Sequence, residues 1–340
     1  MGYMAARGGE KAIENAKNVL ESFRQENRLA VDQVMGEGSL YSKDLARIAV
    51  RQAEGDLIEA SFLVRAYRST LARIGHSEPI DTREMQVIRR ISSAFRDIPG
   101  GQILGPTRDY TQRLLEFEPS SENQDRLGDR VTEDPPCLEK VSDDLKRKGL
   151  LSMPKAVDAE PFDITRDALE FPLPRSARLQ ALSRGESGAM MALAYSSLRG
   201  YGSVHPTVAE LRVGYVNIRI KHPHTGKSVC LGKILVTECE GILSSSIGSV
   251  HLDEQSRFSL GYGLVFGQNE RKAISMAILD GTTSSDHPKA PAEDQEFVFY
   301  HIDGVDAMGF VEHLKLPHYV TFQSSLDIAI KARKEEDVRL

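Results

Sequence analysis

Two alternating segments joined by a turn-rich stretch constrain the fold more than any other feature of this sequence. The segments ELRVGYVNIRI (210–220) and VCLGKILVTECEGIL (229–243) flank the stretch HPHTGKS (222–228). Alternation of polar and apolar residues is typical of strands, and a stretch with Pro and Gly is typical of a turn, so the sequence predicts an antiparallel hairpin. No sustained alternation of strands with crossover helices follows, which argues against a doubly wound parallel sheet.

The same turn ends in Gly-Lys-Ser, as a phosphate-binding P-loop does. That motif requires a glycine five positions before Gly226, and Lys221 stands there. The stretch also lies between two strands instead of opening a helix. We therefore interpret it as a hairpin turn.

The N-terminal hundred residues carry apolar side chains at helical spacing, so residues 8–97 are predicted to be helical. Glycine and proline punctuate this region, and Ser, Asp and Glu stand where helix caps are expected. The first two predicted helices are GGEKAIENAKNVLESF and the segment from Ser42 to Gly75. A third begins at a capping box formed by Asp81 and Glu84 and continues through Phe95. The fourth is the short segment DYTQRLLEF.

The rest of the chain mixes extended and helical patterns. Further predicted elements are an extended PFDITRDALEFPLPRSARLQ, a helix in GESGAMMALAYSSLRGYG, a strand in FSLGYGLVFGQ, a helix in NERKAISMAILD and a strand in EFVFYHID. These patterns together predict an α+β fold with a mixed or antiparallel sheet. The predicted regions are a helical N-terminal part (1–117), a polar linker or excursion (118–160), an α+β domain (161–330) and a charged tail (331–340).

Composition limits the possible functions. The formal net charge is −6, aromatic residues make up 6% and tryptophan is absent, so neither the basic excess nor the stacking platforms of nucleic-acid binders are expected. The apolar runs are too short to span a bilayer. Three cysteines are typical of a reducing compartment rather than of a disulfide framework. We expect a cytoplasmic protein without nucleic-acid or membrane partners.

A glycine-rich stretch before a predicted helix is a candidate phosphate site. Gly261, Gly263 and Gly267 precede a helix whose first turn holds Arg271 and Lys272. Amides at a helix N-terminus and nearby cations can bind phosphate. The spacing is not that of a dinucleotide fingerprint, and close packing of a strand on a helix would explain the same glycines. Both interpretations stay open.

Two carboxylates and an arginine stand just before that stretch. HLDEQSRFS places Asp253, Glu254 and Arg257 within a few residues of one another. Such a set is what acid–base or oxocarbenium chemistry would use. A solvated turn would have the same composition. As hypotheses, we assign Asp253 and Glu254 to a sugar and Arg257, Arg271 and Lys272 to phosphates.

Near the C-terminus, FVEHLKLPHYVTF places His313 and His318 five positions apart, with Pro317 between them. On a regular helix or strand the two rings would diverge. An irregular segment, which Pro317 favours, can bring them together. The spacing matches the histidine half of some zinc sites, but Cys230 and Cys239 lie far upstream. Either ordinary hydrogen-bonded histidines or a metal site completed by distant groups or by another chain would fit.

Six long blocks of this sequence are distinctive: RGGEKAIENA, LGPTRDYTQRLL, SARLQALSRGESGAM, AYSSLRGYGSVHPTVAELRVGYV, HLDEQSRFSLGYGLVFGQNERKAISMA and GFVEHLKLPHYVTFQSSLD. Together they resemble the PhnI family, a subunit of the bacterial carbon–phosphorus lyase core complex. The resemblance runs from about residue 3 to about residue 330 and is weakest over 118–160.

The resemblance implies a role in phosphonate catabolism. The family, with its G, H and L partners, displaces adenine from ATP by methylphosphonate and gives α-D-ribose 1-methylphosphonate 5-triphosphate. Alone, its members behave as nucleosidases on purine nucleoside triphosphates. In the core complex two copies assemble with the G, H and J subunits. A mainly structural scaffold and a nucleotide-binding module without turnover stay open as alternatives.

The resemblance also assigns the histidine pair. The two histidines of the EHLKLPH block bind a metal, taken to be zinc, at the boundary with the J subunit, and they correspond to His313 and His318. A partner chain would then complete the site. One departure is Arg7, where the family has lysine before the Gly-Gly pair; the charge is kept, although the two side chains differ in geometry.

Overall fold

A computed structural model describes most of the chain. The described residues are 10–14, 27–110, 113–115, 138–152, 160–199, 205–244, 258–285 and 287–337. The helices are α1 Arg28–Glu37, α2 Lys43–Gln52, α3 Leu57–Ser69, α4 Val141–Arg147, α5 Arg175–Arg184, α6 Ser187–Leu198, α7 Glu270–Thr282, α8 Gln295–His301, α9 Gly304–His313 and α10 Tyr319–Asp337. The strands are β1 Gln86–Ile91, β2 Leu151–Ser152, β3 His205–Lys221, β4 Ser228–Ser244 and β5 Phe258–Phe266. Residues 10–14 are helical as well.

The five strands form one sheet in the order β1-β3-β4-β5-β2. The neighbours from β1 to β5 run antiparallel, and the two-residue β2 pairs parallel with β5. The predicted hairpin is confirmed: β3 and β4 pair along their whole length, and the turn between them holds Gly226 at a φ of 64°. The α+β prediction is therefore confirmed.

One face of the sheet packs on α7, together with α5, α6 and α8. Leu211, Cys239 and Val265 of three neighbouring strands contact the small residues Ala273 and Ala277 of α7 in the main hydrophobic core. Small side chains on α7 let its backbone approach the sheet closely. Helices α1 to α3 form a second apolar cluster, against which Phe266 of β5 packs.

The opposite face of the sheet buries a network of charges. Glu238 of β4 accepts hydrogen bonds from Arg212, Lys140, Thr82 and the hydroxyl of Tyr262. Burial alone would raise the pKa of Glu238, but Arg212 and Lys140 outweigh burial and bring this pKa down to about 2. A buried carboxylate stays ionised where cations and hydrogen bonds surround it in this way. The network joins β3, β4 and β5 to the segment that precedes α4.

The segment 81–95 is not helical, contrary to the prediction. The Asp81 side chain does cap, but it caps only a single 3₁₀ turn, Thr82–Glu84, after which the chain enters β1. Arg90 of β1 is fully buried and pairs with Glu210 of β3. Helical periodicity compares residues only a few positions apart, so it cannot predict a partner so far along the sequence. Because β1 joins the main sheet, residues 1–117 are not a purely helical region.

Three other elements differ from the predictions. The polar segment 118–160 contains α4 and β2, and its Lys140 is buried in the charge network. The segment EFVFYHID forms α8 instead of a strand, because Asp294 caps a helix by accepting from the amide of Phe297 at 2.8 Å. A short apolar run does not distinguish the two states by itself.

The N-terminal helical predictions are confirmed in part. Ser42 caps α2 as predicted, but the helix ends at Gln52, and Asp56 caps a separate α3 that ends before Gly75. The piece predicted as extended, 161–180, includes the start of α5. Residues 113–115 of the predicted helix DYTQRLLEF have no regular structure, and much of GGEKAIENAKNVLESF lies outside the described residues. Within the described part of the chain, none of the helices is long and apolar enough to cross a bilayer.

Candidate functional site

The two C-terminal histidines face each other. Helix α9 ends at His313, four residues without regular helix follow, and His318 immediately precedes α10. The two Nε2 atoms are 3.3 Å apart, and the ring centroids are 5.0 Å apart with the rings nearly perpendicular. The prediction that an irregular segment brings the rings together is therefore confirmed.

This geometry fits a shared metal ion. Two imidazole nitrogens that bind one tetrahedral Zn²⁺ at about 2.0–2.1 Å lie about 3.3 Å from each other. The Nδ1 atom of His318 is 2.5 Å from the carbonyl oxygen of Leu316. This carbonyl can only accept, so Nδ1 carries the proton and the Nε2 lone pair is left for a metal. Histidine ligands usually have such a backbone partner.

The pair supplies only half of a zinc site. Among the residues that the structure describes, no group of three or more His, Cys, Asp or Glu side chains could hold a metal ion. A protein zinc site needs three or four ligands. The residues present fit a metal as two of its ligands, and the others have to come from elsewhere. The zinc itself stays a prediction.

The histidines sit on an exposed C-terminal arm, which we define as residues 304–337. None of the α9 residues is buried, and every side chain described from Tyr319 to Lys334 is exposed. The start of the arm is fixed by an ion pair in which Arg65 Nη1 lies 2.8 Å from Asp303 Oδ1. The exposed apolar residues of the arm are Phe310, Val311, Leu314, Leu316, Tyr319, Val320, Phe322, Leu326, Ile328 and Ile330.

A separate cleft of about 680 Å³ opens beside the N-terminus of α7. Four arginines and two carboxylates line it, and apolar side chains complete the wall. The lining residues are Arg28, Leu29, Gln33, Pro106, Thr107, Arg108, Asp109, Arg113, Leu114, Leu115, Ser187, Met191, Gln268, Asn269, Glu270 and Arg271. Because α1, α6, α7 and residues 106–109 and 113–115 each contribute, only the tertiary fold assembles the cleft.

Gln268 organises the floor of this cleft. Its amide nitrogen Nε2 donates to the carbonyl of Pro106 at 2.7 Å and to Glu270 at 2.9 Å, while its Oε1 accepts from Arg28 at 2.5 Å. The backbone N–H of Gln268 donates to Asp32 at 2.9 Å. A single side chain therefore connects α1, Pro106 and the start of α7.

Arg89 of β1 pairs with both carboxylates of the cleft. The Arg89 side chain is only 1% exposed, its Nη2 lies 2.5 Å from Asp109 Oδ2, and its Nε lies 2.9 Å from Glu270 Oε1. Arg89 thus offsets one of the two negative charges of the lining, and Arg113 of the lining itself lies 3.9 Å from Asp109. The arginines of the cleft leave an excess of positive charge.

The predicted glycines serve packing rather than a ligand. A Cβ atom on Gly261 would lie 1.9 Å from the carbonyl oxygen of Ala277, and one on Gly263 would lie 2.2 Å from that of Ala273. Helix α7 fills the space that a side chain at Gly261 or Gly263 would need. Gly267 has a φ of 70°, and a Cβ atom there would meet the Asp32 carboxylate at 2.2 Å. Packing of β5 on α7 therefore accounts for Gly261 and Gly263, and the positive φ accounts for Gly267; their predicted contact with phosphate stays a prediction.

Lys272 and Arg271 have different surroundings although they are neighbours. Arg271 is exposed and lines the cleft, so its predicted phosphate contact stays a prediction. Lys272 is fully buried and does not line the cleft, which corrects the role predicted for it. Its Nζ has no hydrogen-bond partner among the described residues, and burial lowers the pKa of Lys272 to about 8, with Glu37 opposing that shift.

The remaining predicted residues are Asp253, Glu254 and Arg257, and all three lie outside the described residues. Their assignment to a sugar and to phosphates stays a prediction. Sequence reasoning missed Arg28, Arg108 and Arg113 of the cleft. Arg108 and Arg113 lie in LGPTRDYTQRLL, one of the blocks that carry the family resemblance. Their position in this block was the signal that could have identified them.

Comparison with known proteins connects these features to a family. The sequence model described as "Bacterial phosphonate metabolism protein (PhnI)" matches residues 2–336, which is nearly the whole chain. The chain belongs to the PhnI family. Two synthase subunits named for α-D-ribose 1-methylphosphonate 5-triphosphate are similar to it over nearly their full lengths, and both are called PhnI.

Relatives from three organisms each match this chain over nearly its whole length. The PhnI subunit of Rhizobium meliloti (strain 1021) is 48% identical, with 98% of this chain and 96% of that protein covered. The PhnI subunit of Escherichia coli (strain K12) is 44% identical, with coverage of 98% and 99%. A putative C-P lyase subunit, HtxH of Stutzerimonas stutzeri, is 47% identical, with coverage of 96% and 95%. Family membership is therefore a property of the whole chain.

Proposed function

We propose that this chain is a subunit of a carbon–phosphorus lyase system that, with partner subunits, transfers the ribose 5-triphosphate of ATP from adenine to methylphosphonate. The products are α-D-ribose 1-methylphosphonate 5-triphosphate and adenine. The observation that carries the proposal is the match over nearly the whole chain to two subunits named for the synthase of this compound. On its own the chain acts as a nucleosidase on purine nucleoside triphosphates, and it works in the cytoplasm.

The reaction exchanges one bond at C1′ of the ribose for another. The bond from C1′ to the purine nitrogen breaks, and a bond from C1′ to a phosphonate oxygen forms, while the purine leaves with the electron pair and takes up a proton. Positive charge builds on the sugar during this exchange. By analogy with glycoside hydrolysis, a carboxylate near C1′ would stabilise this charge and an acid would protonate the purine. Asp253 and Glu254 are our candidates near the sugar.

The histidine pair would hold a zinc ion at a subunit boundary. His313 and His318 present two nitrogens at a separation of 3.3 Å, which suits two ligands of one ion. A zinc ion supplies Lewis-acid polarisation of an oxygen when it is bound. The exposed position of the pair supports the idea that a partner chain brings the remaining ligands.

The partners that we propose are the G, H and J subunits of the core complex, with the L subunit required for the transfer reaction. The exposed apolar side chains of the C-terminal arm support a partner there, since contiguous exposed apolar surface is typical of protein interfaces. The J subunit would cover the arm, because the incomplete metal site lies on it.

The transfer reaction can be tested with the assembled complex. Incubation with ATP and methylphosphonate should release adenine, and Asp253→Asn and Glu254→Gln should each lower that release by about 100-fold or more, since a positioned acid or base contributes that much. Glu296→Gln is a matched control because Glu296 is exposed on α8. Near-normal release in both variants would remove Asp253 and Glu254 from catalysis. Absence of release from the parent complex would overturn the proposed function.

A second experiment separates the proposal from its two alternatives. Purified chain is incubated with ATP and assayed for free adenine and for bound nucleotide. Release of adenine indicates an enzyme, and binding without release indicates a nucleotide-binding subunit. If the free chain neither binds nor cleaves ATP but the complex releases adenine, the chain needs its partners for activity. If neither the free chain nor the complex releases adenine, the chain is a scaffold.

A further inference from the structure

The described lining of the cleft holds four arginines and only two carboxylates. Arg271 pairs with no carboxylate among the residues that the structure describes. Arg89 already occupies Asp109 and Glu270 from behind. The cleft therefore presents more positive charge than its own carboxylates can neutralise.

Arg28 and Arg108 bring two positive charges together at the cleft. Burial is the main cause that lowers the pKa of Arg28; the attraction of Asp32 opposes it, the repulsion of Arg108 adds to it, and the attraction of Glu270 opposes it as well. Its Nη1 lies 3.9 Å from Asp32 Oδ2, which is a long ion pair. A guanidinium keeps its proton in a protein, so both side chains stay cationic at the cleft. A bound anion would interact favourably with both.

The backbone adds to the positive field. Helix α7 is 13 residues long and begins at the cleft with Glu270 and Arg271, while α1 begins there with Arg28 and Leu29. The N-terminus of a helix carries about half a positive charge and favours anions. Two helix N-termini and four arginine side chains therefore act on the same space.

We propose that this cleft binds the polyphosphate chain of a phosphate-bearing ligand through Arg28, Arg108, Arg113 and Arg271. Since it rests on the proposed function, the assignment is to the triphosphate of the purine nucleotide substrate. A planar guanidinium binds two oxygens of one phosphate at once, so four of them match three linked phosphates better than a single phosphate. This number of cations therefore favours a ligand with several linked negative charges, such as a polyphosphate.

The size and the apolar wall of the cleft fit a nucleotide as well. Its volume of about 680 Å³ lies within the usual range for small-molecule sites. Leu29, Met191 and Leu115 supply apolar surface next to the arginines. The phosphates would bind to the cations while the purine and ribose contact the apolar side.

The test uses inorganic tripolyphosphate as the probe and the full chain in isothermal titration calorimetry. We expect one binding site, with affinity lowered at least about tenfold in Arg271→Gln and in Arg108→Gln, because a charge-assisted hydrogen bond is lost in each. Arg51→Gln is the matched control: it removes the same charge from an exposed position on α2 outside the cleft. Arg271→Lys should recover only part of the affinity if the contact is bidentate.

The outcomes distinguish this site from the function of the whole protein. Equal affinity in Arg271→Gln, Arg108→Gln and Arg51→Gln, or no binding of tripolyphosphate by the parent, would overturn the site even if the complex releases adenine from ATP. Methylphosphonate that binds as tightly as tripolyphosphate would assign the cleft to the phosphonate and overturn the triphosphate assignment. Selective loss in the two cleft variants together with competition by ATP would support the proposal.

Discussion

At the scale of single residues, the surroundings of a charged side chain decide its role. Arg271 and Lys272 are adjacent in the sequence and equal in charge, yet one faces a cleft and the other is sealed in the core. Composition suggested the same phosphate contact for both. Only burial, which depends on how α7 packs, separates them.

Lys272 should make the free energy of unfolding depend on pH in the alkaline range. Its pKa is about 8 in the folded chain and about 10.5 when exposed, so between these values the unfolded chain binds more protons and the free energy of unfolding rises with pH. The full rise from this group is about 3 kcal/mol. Urea unfolding from pH 7 to pH 10 should show it in the parent and not in Lys272→Met.

The control for that measurement is Lys227→Met, which removes an exposed lysine from the β3–β4 turn. This variant should keep the slope of the parent between pH 8 and pH 10. The same slope in Lys272→Met as in the parent would show that the buried ammonium is not its source.

The histidine pair gives a second prediction at this scale. Because both rings are exposed, His313→Ala and His318→Ala should change the free energy of unfolding of the isolated chain by less than about 0.5 kcal/mol. Each should lower the zinc content of the assembled complex, as measured by atomic emission. His301→Ala, which removes another exposed histidine, serves as the control. Unchanged zinc in both variants would refute a shared site.

At the scale of elements, the contact between β5 and α7 positions the cleft. The carbonyl groups of α7 approach two glycines of β5 so closely that no side chain fits between them. The same helix carries Arg271 at its start. A shift of α7 on the sheet would therefore move one wall of the cleft.

Gly261→Ala tests this contact. The added methyl group would lie 1.9 Å from the carbonyl oxygen of Ala277, so the helix has to move, and we expect a loss of about 2 kcal/mol or more in the free energy of unfolding. Gly75→Ala is the matched control, because nothing lies within 4 Å of its added Cβ atom. Equal stability of the two variants in urea would show that β5 and α7 can separate without cost.

At the scale of the whole molecule, the chain has a packed body and an exposed C-terminal arm, of which α9 contacts α3. The body combines the sheet with α1 to α8, whereas the helix α10 exposes every side chain described from Tyr319 to Lys334. A helix of this kind is not stabilised by burial within its own chain. A partner that covers them in the complex, as proposed above, would explain its apolar residues.

Removal of α10 should separate folding from assembly. In a chain that ends at His318, the free energy of unfolding of the body should change by less than about 0.5 kcal/mol, because only exposed contacts are lost. The same chain should fail to co-purify with the partner subunits. Phe322→Asp should weaken co-purification, while Ile74→Asp, a substitution of another exposed apolar residue outside the arm, should not. Normal assembly of the shortened chain would contradict this account.

The sequence by itself determined the elements whose signals are local. The β3–β4 hairpin, β5, α7 and the irregular segment between His313 and His318 were predicted because alternation, turn residues and Pro317 act over a few neighbours. The family was also predictable, since its blocks are contiguous in the chain. The convergence of the two histidines needed no distant residue.

The tertiary structure alone decided the rest, because the deciding partners are far apart in the sequence. Segment 86–91 became a strand through pairing with β3, and its buried arginines meet Glu210 and Glu270 from distant segments. The glycines of β5 proved to accommodate a helix, which no single-strand pattern reveals. The arginine cleft exists only where α1, residues 106–109 and 113–115 and α7 meet, since charge at one point in space sums over residues that the sequence keeps apart.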